Sequence, residues 1–202
     1  MTDSTDELGG RLPLADPATL TGVQRDVFNL LMATFVPWAN DVGVQATTRG
    51  GRLIGPFNSA LINPAISAKF LELQFAEVAN THLNEQVRQV VILAVGAVWR
   101  ADYELYAHSA AARKAGISED AIKTLVGGGI PDELTEDEKI PGRVARQLTA
   151  SHRVDDDLYH KAEKAFGIEG LVDIATLVGI YHGVSTTLTM FNVPAPQWKN
   201  DK

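Results

Sequence analysis

Two long stretches of this chain are apolar on almost every side when they are arranged as helices. Residues 85–100 read EQVRQVVILAVGAVWR, and residues 170–193 read GLVDIATLVGIYHGVSTTLTMFNV. A helix without a polar face is buried when other helices surround it. The other periodic segments are amphipathic, and none shows the sustained alternation of a strand. We therefore predict an all-α fold, a bundle with two central helices inside amphipathic ones.

Local signals place the first two helices. Asp16 and Pro17 suit the N-cap and first helical position of one helix, and Pro37 is expected to bend or end it. A second helix is expected over residues 63–82. Residues 40–58, between them, carry glycines without a period and form the longest expected loop, a kind of segment that is often functional. The inward face of the first helix is expected to carry Leu20, Val23, Val27, Leu30 and Leu31.

Caps and breakers divide the C-terminal half into further helices. Gly116 and Gly167 suit helix ends, because glycine adopts the left-handed conformation at little cost. Pro141 shifts the expected start of its helix one turn beyond the cap residue Thr135. The helices are predicted over residues 101–115, 118–126, 135–151, 155–167 and 170–193.

Composition limits the classes of function. A chain of 202 residues can bury one core, so a single body is expected. It contains no cysteine, which excludes disulfides, thiolate metal ligands and thiol nucleophiles. The net charge is -7 and no basic stripe is present, which argues against a nucleic-acid partner.

No targeting segment or membrane span is predicted. Residues 1–15 lack the basic and apolar parts of a signal peptide, and no apolar run approaches the roughly 20 residues that cross a bilayer. We expect a cytoplasmic protein without a membrane partner. Because residues 1–15 are polar and aperiodic, they are expected to form an arm that frays or lies over a neighbouring subunit.

The segment WRADYELYAH, residues 99–108, concentrates reactive side chains. Glu104 and His108 are one helical turn apart and lie on one face, with Arg100 a turn earlier. The stripe can be an exposed ion-pair ladder of little value or a proton-transfer pair in which the carboxylate orients the imidazole. Its aromatic border of Trp99, Tyr103 and Tyr106 favours the second interpretation. One Glu and one His are too few for a metal site.

Three further residues are candidates for the site. His182 lies between Gly179 and Gly183, where it is either a satisfied core residue or a group that something can approach closely. Arg49 and Arg52 are cations in an acidic protein, and they either bind an anionic substrate or are ordinary surface charges.

Four blocks of the sequence resemble the carboxymuconolactone decarboxylase family, which is related to the alkylhydroperoxidase-D-like proteins. The blocks are GPFNSALINP (55–64), EQVRQVVILAV (85–95), ADYELYAHSAAARKAGIS (101–118) and LVGIYHGVSTTLTMFNVPAP (177–196). The resemblance implies an all-α bundle that assembles into a homo-trimer or homo-hexamer. It divides the chain into an arm and first helix (1–49), a family domain (50–196) and a tail (197–202).

The resemblance also separates two branches of this family. The peroxidase branch has a CxxC pair, a histidine and a relay glutamate, which fall here on Ala101, Glu104, His108 and Gln89. Without cysteine, thiol peroxidase activity is excluded. The decarboxylase branch often has a tyrosine, a glutamate, a tryptophan and a histidine. This chain matches three of them, with Leu105 in place of the tryptophan.

The decarboxylase resemblance implies a reaction without a cofactor, in which a small lactone diacid of aromatic-compound catabolism loses carbon dioxide and gains a proton at carbon. We assign His108 as acid and base, Glu104 as its orienter and His182 as a second donor. Lactone hydrolysis, isomerisation or a non-catalytic helical oligomer remain alternatives. The residues expected to bind a small, anionic substrate are Arg52, Arg49, Phe57, Asn58, Trp99, Tyr103 and Tyr181.

Overall fold

The computed structural model describes residues 6–196, so the start of the predicted arm and the tail 197–202 lie outside the described residues. Within this range the fold is all-α, as predicted, and the only extended pairing is an isolated bridge between Thr47 and Leu53. The helices are α1 (Gly22–Ala33), α2 (Phe35–Val42), α3 (Pro56–Ala60), α4 (Pro64–Asn80), α5 (Glu85–Trp99), α6 (Asp102–Lys114), α7 (Glu119–Val126), α8 (Glu136–Ser151) and α9 (Asp156–Met190).

Helix α5 is central, as its apolar run predicts. Every residue from Val87 to Gly96 is buried, including Arg88 and Gln89. Helices α6, α7, α8 and α9 pack around it. The Asn84 side chain accepts a hydrogen bond from the Val87 amide and fixes the first turn of the helix. Two polar side chains are therefore held inside the core by the same helix that forms its centre.

Helix α9 is two helices joined at a kink. Gly167 has φ 66° and ψ 178°, which ends the first part where the sequence predicts it. The second part packs on α5 and α8 but is not buried all round, since Ile168 and Val172 are each 58% exposed. In the described part of the chain, α9 alone is long and apolar enough to cross a membrane, with a mean hydropathy of 1.3 over its best window. This segment was not recognised as a possible span from the sequence.

The first helix starts later than predicted. Asp16 caps a short 3-10 turn over Pro17–Thr19, and α1 begins only after Thr21, whose side chain forms a capping box with Gln24. Its predicted inward face is partly wrong, because Leu20 lies before the helix and α1 buries only a narrow stripe. Val27 and Leu31 are buried, whereas Val23 and Leu30 are exposed.

Two prolines act differently on their helices. Pro37 cannot donate to the Ala33 carbonyl, and the chain breaks at Thr34 between α1 and α2, as expected. Pro141 lies inside α8, which already begins at Glu136, so the predicted one-turn delay is wrong. The capping box of Thr135 and Glu138 stabilises the first turn of α8 despite the hydrogen bond lost at the proline.

The described part of the arm lies on its own chain. The Arg11 amide donates to the Phe191 carbonyl at 2.7 Å, and Leu14 is buried. Asn58 of α3 accepts from the Ala15 amide at 2.9 Å and donates to the Pro13 carbonyl at 3.2 Å. Residues 11–15 are thus neither frayed nor dependent on a neighbouring subunit for these contacts, and they hold α3 in place.

Candidate active site

A cavity of about 890 Å³ lies between the N-terminal helices and α5, α6 and α9. Aromatic rings form much of its wall, and some of them contact one another. Phe35 lies 5.6 Å from Phe57 and 5.4 Å from Phe75, measured between ring centroids. The aromatic side chains along the wall are Phe35, Trp38, Phe57, Phe70, Phe75, Tyr103 and Tyr181. A mostly apolar cavity of this size suits a small organic ligand.

Glu104 and His108 of α6 both line this cavity. Each is buried, at 2% and 7% exposure, and Nε2 of His108 lies 3.7 Å from Oε1 of Glu104. That distance is too long for a hydrogen bond. Oε1 of Glu104 has no hydrogen-bond partner within residues 6–196. The predicted role of Glu104 as the orienter of His108 is therefore wrong, and its carboxyl oxygen is left unpaired.

Gln89 of α5 orients the imidazole instead. Its Oε1 lies 2.8 Å from Nδ1 of His108, and its Nε2 donates to Oε1 of Glu85 at 2.7 Å. The bond to Glu85 fixes which end of the amide faces the imidazole. Because an amide oxygen only accepts, Nδ1 must carry the proton. This leaves Nε2 with a lone pair on the side of Glu104.

Burial shifts the ionisation of both groups away from their charged forms. It raises the pKa of Glu104 from its ordinary 4.5 to about 8. Burial, and then the charge of Arg88, lowers the pKa of His108 from 6.5 to about 3. At neutral pH the site therefore holds an uncharged carboxylic acid beside an uncharged imidazole. The acid can donate a proton, and the imidazole can accept one.

A buried ion pair lines the same cavity as Glu104 and His108. Arg88 of α5 pairs with Glu77 of α4, and its Nε lies 3.5 Å from Oε2 of Glu85. Arg88 and Glu77 are 7% and 8% exposed, and all three side chains line the cavity. These residues were not predicted from the sequence. The signal available was Arg88 and Gln89 standing together inside the apolar run of α5.

Three predicted binding residues do line the cavity: Phe57, Tyr103 and Tyr181. The rings of His108 and Tyr181 meet edge-on, with centroids 5.0 Å apart at 89°. The Tyr103 hydroxyl donates to the Gln45 carbonyl at 2.7 Å, so its position depends on the loop before α3. Burial raises the pKa of Tyr103 and of Tyr181, so both remain neutral phenols.

His182 is not brought to the cavity. Its Nε2 lies 2.9 Å from Oγ1 of Thr149, which itself donates to the Ala145 carbonyl, so Nε2 of His182 is the donor. Its ring packs edge-on against Trp99 at 5.9 Å. Neither His182 nor Trp99 is among the described residues that line the cavity. The assignment of His182 as a second proton donor is wrong, because this histidine is held by α8.

Arg49 and Arg52 are not brought to the cavity either. Arg49 is exposed and Arg52 is half-buried in the loop between α2 and α3, and of the residues the structure describes, neither contributes to the cavity wall. Asn58 is 2% exposed and holds the arm rather than a ligand. Over residues 6–196, no three His, Asp or Glu side chains are grouped closely enough to hold a metal ion.

Comparison with known proteins gives a family match for part of the chain and a fold for the whole. Residues 64–138 match the model of the carboxymuconolactone decarboxylase family, as the sequence resemblance predicts. No curated protein matches this sequence. A solved alkylhydroperoxidase AhpD core, a peroxidase-related protein from Ralstonia eutropha JMP134, is 14% identical with a TM-score of 0.71, and the match covers 93% of this chain and 92% of that one.

Two further solved structures have the same fold. A peroxidase-related protein from Silicibacter sp. TM1040 is 15% identical with a TM-score of 0.71, over 100% of this chain and 99% of that one. A variant of the debrominase Bmp8, in complex with 2,3,4-tribromopyrrole, is 15% identical with a TM-score of 0.68, over 88% of this chain and 91% of that one. The fold is thus that of the AhpD-like proteins.

Proposed function

We propose that this chain, which matches the carboxymuconolactone decarboxylase family over residues 64–138, is an acid–base enzyme that transfers protons at carbon in a small oxygenated ring compound. One observation carries the proposal: a buried carboxyl group, whose Oε1 has no hydrogen-bond partner among residues 6–196, and a tautomer-fixed imidazole lie side by side on a cavity wall. Glu104 is the proton donor and His108 the proton acceptor. Neither step needs a cofactor.

Decarboxylation is the reaction that the family match favours. When a substrate carboxylate leaves as carbon dioxide, its bonding electron pair stays on carbon. The Glu104 carboxyl donates its proton to that carbon and becomes a carboxylate. It then regains a proton from water, since its raised pKa keeps it protonated near neutral pH. Atoms and charge balance without an oxidant or a metal.

Isomerisation is the second candidate, supported by the paired protonation states. With His108 neutral and Glu104 protonated, one group can remove a proton from one carbon while the other returns a proton to a second carbon. Thiol peroxidase chemistry is not available, because the sequence contains no cysteine.

Deuterium incorporation at carbon tests the proposal for any product. The protein is incubated in D2O with a panel of lactones, cyclic ketones and their carboxylic acids, while NMR follows deuterium at carbon and evolved carbon dioxide is measured. We expect turnover in the wild type and in Ser185→Ala, a change at a buried residue whose hydroxyl has no partner among the described residues. Glu104→Gln should lower turnover by about 10²- to 10⁴-fold.

Infrared spectroscopy tests the protonation of Glu104 directly, without depending on which compounds the panel contains. Infrared difference spectra between the wild type and Glu104→Gln report the carbonyl stretch of a protonated carboxyl at pH 7. A Glu104 that titrates at its ordinary pKa, or turnover that survives Glu104→Gln, would overturn the assignment.

A further inference from the structure

We infer that the cavity takes a ring compound that is largely apolar and carries at most one negative charge, so that dicarboxylates are poor ligands. This inference rests on the proposed function for the identity of the site. The selectivity itself, however, depends on the charges and rings of the wall rather than on the reacting pair.

The cations of the wall are already paired. Arg88 forms ion pairs with Glu77 and Glu85. Lys114 forms an ion pair with Asp41 at the solvent-exposed edge of the cavity, which we call its mouth. All five side chains line the cavity, so three carboxylates face two cations. A ligand dianion would add two negative charges to a wall that is already acidic. Each added carboxylate would have to break an existing ion pair to find a partner.

Desolvation acts in the same direction. Glu104 is 2% exposed, and burial raises its pKa to about 8, so an anion at this depth is poorly solvated. A ligand carboxylate placed at the same depth would lose its hydration without a free cation to replace it. One charge can stay at the mouth, where the side chains of Lys114 and Asp41 are 49% and 64% exposed. A carboxylate that leaves as carbon dioxide has to lie beside Glu104 instead, and the reaction removes its charge. A second carboxylate on the same ring would point inward.

The aromatic rings of the wall and the volume of the cavity determine the shape and the apolar character of the ligand. Phe35, Phe57 and Phe75 form a continuous aromatic surface, and Trp38 and Tyr181 flank His108. Such surfaces bind planar apolar rings by stacking and by edge-to-face contact. A volume of about 890 Å³ exceeds what one small lactone fills, so a fused ring or a ring with a hydrocarbon substituent fits better. The one ligand oxygen that is buried would accept a hydrogen bond from the Glu104 carboxyl.

Calorimetry at pH 7 with a matched series tests the inference. The three probes share a bicyclic skeleton: 2-tetralone is neutral, 2-naphthoate has one charge and 2,6-naphthalenedicarboxylate has two. We expect the first two to bind and the dicarboxylate to bind at least ten-fold more weakly than 2-naphthoate. Equal or tighter binding of the dicarboxylate would overturn the inference, and so would the failure of all three probes to bind.

A charge variant provides the matched control. Glu85→Gln keeps an acceptor for Gln89 but removes one carboxylate from Arg88, so the dicarboxylate should gain affinity while 2-tetralone does not change. An unchanged ratio would show that the wall charges do not select the ligand. Binding and turnover remain separable: Glu104→Gln should lose turnover yet keep the order of affinities. If turnover survives while the order holds, the proposed function fails and this inference stands.

Discussion

Nδ1 of His108 lies 2.8 Å from Oε1 of Gln89, and this contact decides which nitrogen of the imidazole is free to accept a proton. Replacement of Gln89 by leucine removes the acceptor, so both tautomers become accessible. We expect turnover to fall by about ten-fold, the equivalent of one hydrogen bond of about 1.4 kcal/mol. Nitrogen-15 NMR of the ring should show the Nδ1–H form in the wild type and a mixture in Gln89→Leu.

Gln89→Glu is the conservative counterpart of that change. A carboxylate also accepts from Nδ1, so the tautomer is retained, and its charge should raise the pKa of His108. The hydrogen bond to Glu85 is lost, as it also is in Gln89→Leu. If Gln89→Glu shows the same tautomer mixture as Gln89→Leu, the amide does not act through this hydrogen bond.

Glu104→Gln should separate catalysis from stability. Because Glu104 is protonated near neutral pH, a glutamine of the same shape replaces one neutral group by another. We expect the melting temperature at pH 7 to change little, while kcat falls by about 10²- to 10⁴-fold through loss of the acid. A large loss of stability at pH 7 would indicate that the wild-type side chain is ionised. Thermal unfolding and deuterium incorporation measure the two effects independently.

The same two pKa shifts predict an asymmetric dependence of stability on pH. Between pH 4.5 and about 8, native Glu104 holds a proton that the unfolded chain has lost, so its contribution to stability falls as pH rises. Between about pH 3 and 6.5, native His108 lacks a proton that the unfolded chain holds, so its contribution rises with pH. The two slopes cancel between pH 4.5 and 6.5.

A net fall of about 1 kcal/mol per pH unit therefore remains between pH 6.5 and 8. Urea unfolding of the wild type and of Glu104→Gln measures this slope, and the fall should be absent from the variant. An identical slope in both proteins would mean that another group is responsible.

The fold follows from the sequence where a pattern admits only one environment. The run in α5 has no polar face, and the whole of Val87 to Gly96 is buried. The run in α9 looks similar, yet Val172 and Met190 within it remain exposed, because a pattern does not state how many neighbours a helix has. Helix starts shift for a local reason, since the hydroxyl of Thr21 competes with Asp16 as the cap.

The site is predictable only within one helix. The proximity of Glu104 and His108 follows from their four-residue spacing. Contacts between helices do not: Gln89 is 19 residues from His108 in sequence, and no periodicity relates them. The prediction that Arg49 and Arg52 bind the substrate depends on their charge alone, and charge does not indicate the direction in which a loop points. The cations that line the cavity are instead Arg88, in the core, and Lys114 of α6.

Gly55, at the end of the loop before α3, packs against Tyr103 of the site. Its φ is 63°, and a Cβ added there would lie 2.3 Å from Cζ of Tyr103. Gly51, in the same loop, has φ 76°, and a Cβ there would meet nothing within 4 Å. Positive φ strains alanine at either position, and Gly55, with ψ -145°, lies outside the left-handed helical region, in a conformation where a Cβ is tolerated least. Only the change at Gly55 displaces the ring of Tyr103.

Gly55→Ala should therefore destabilise the protein by clearly more than Gly51→Ala, by about 3 kcal/mol in total, because the displaced Tyr103 also loses its hydrogen bond to the Gln45 carbonyl. Since Tyr103 lines the cavity, Gly55→Ala should also weaken the binding of 2-tetralone, whereas Gly51→Ala should leave it unchanged. Urea unfolding and calorimetry on the two variants measure these effects. Equal losses of stability would show that the loop moves away from Tyr103 without cost, and the ring would then not be positioned by this glycine.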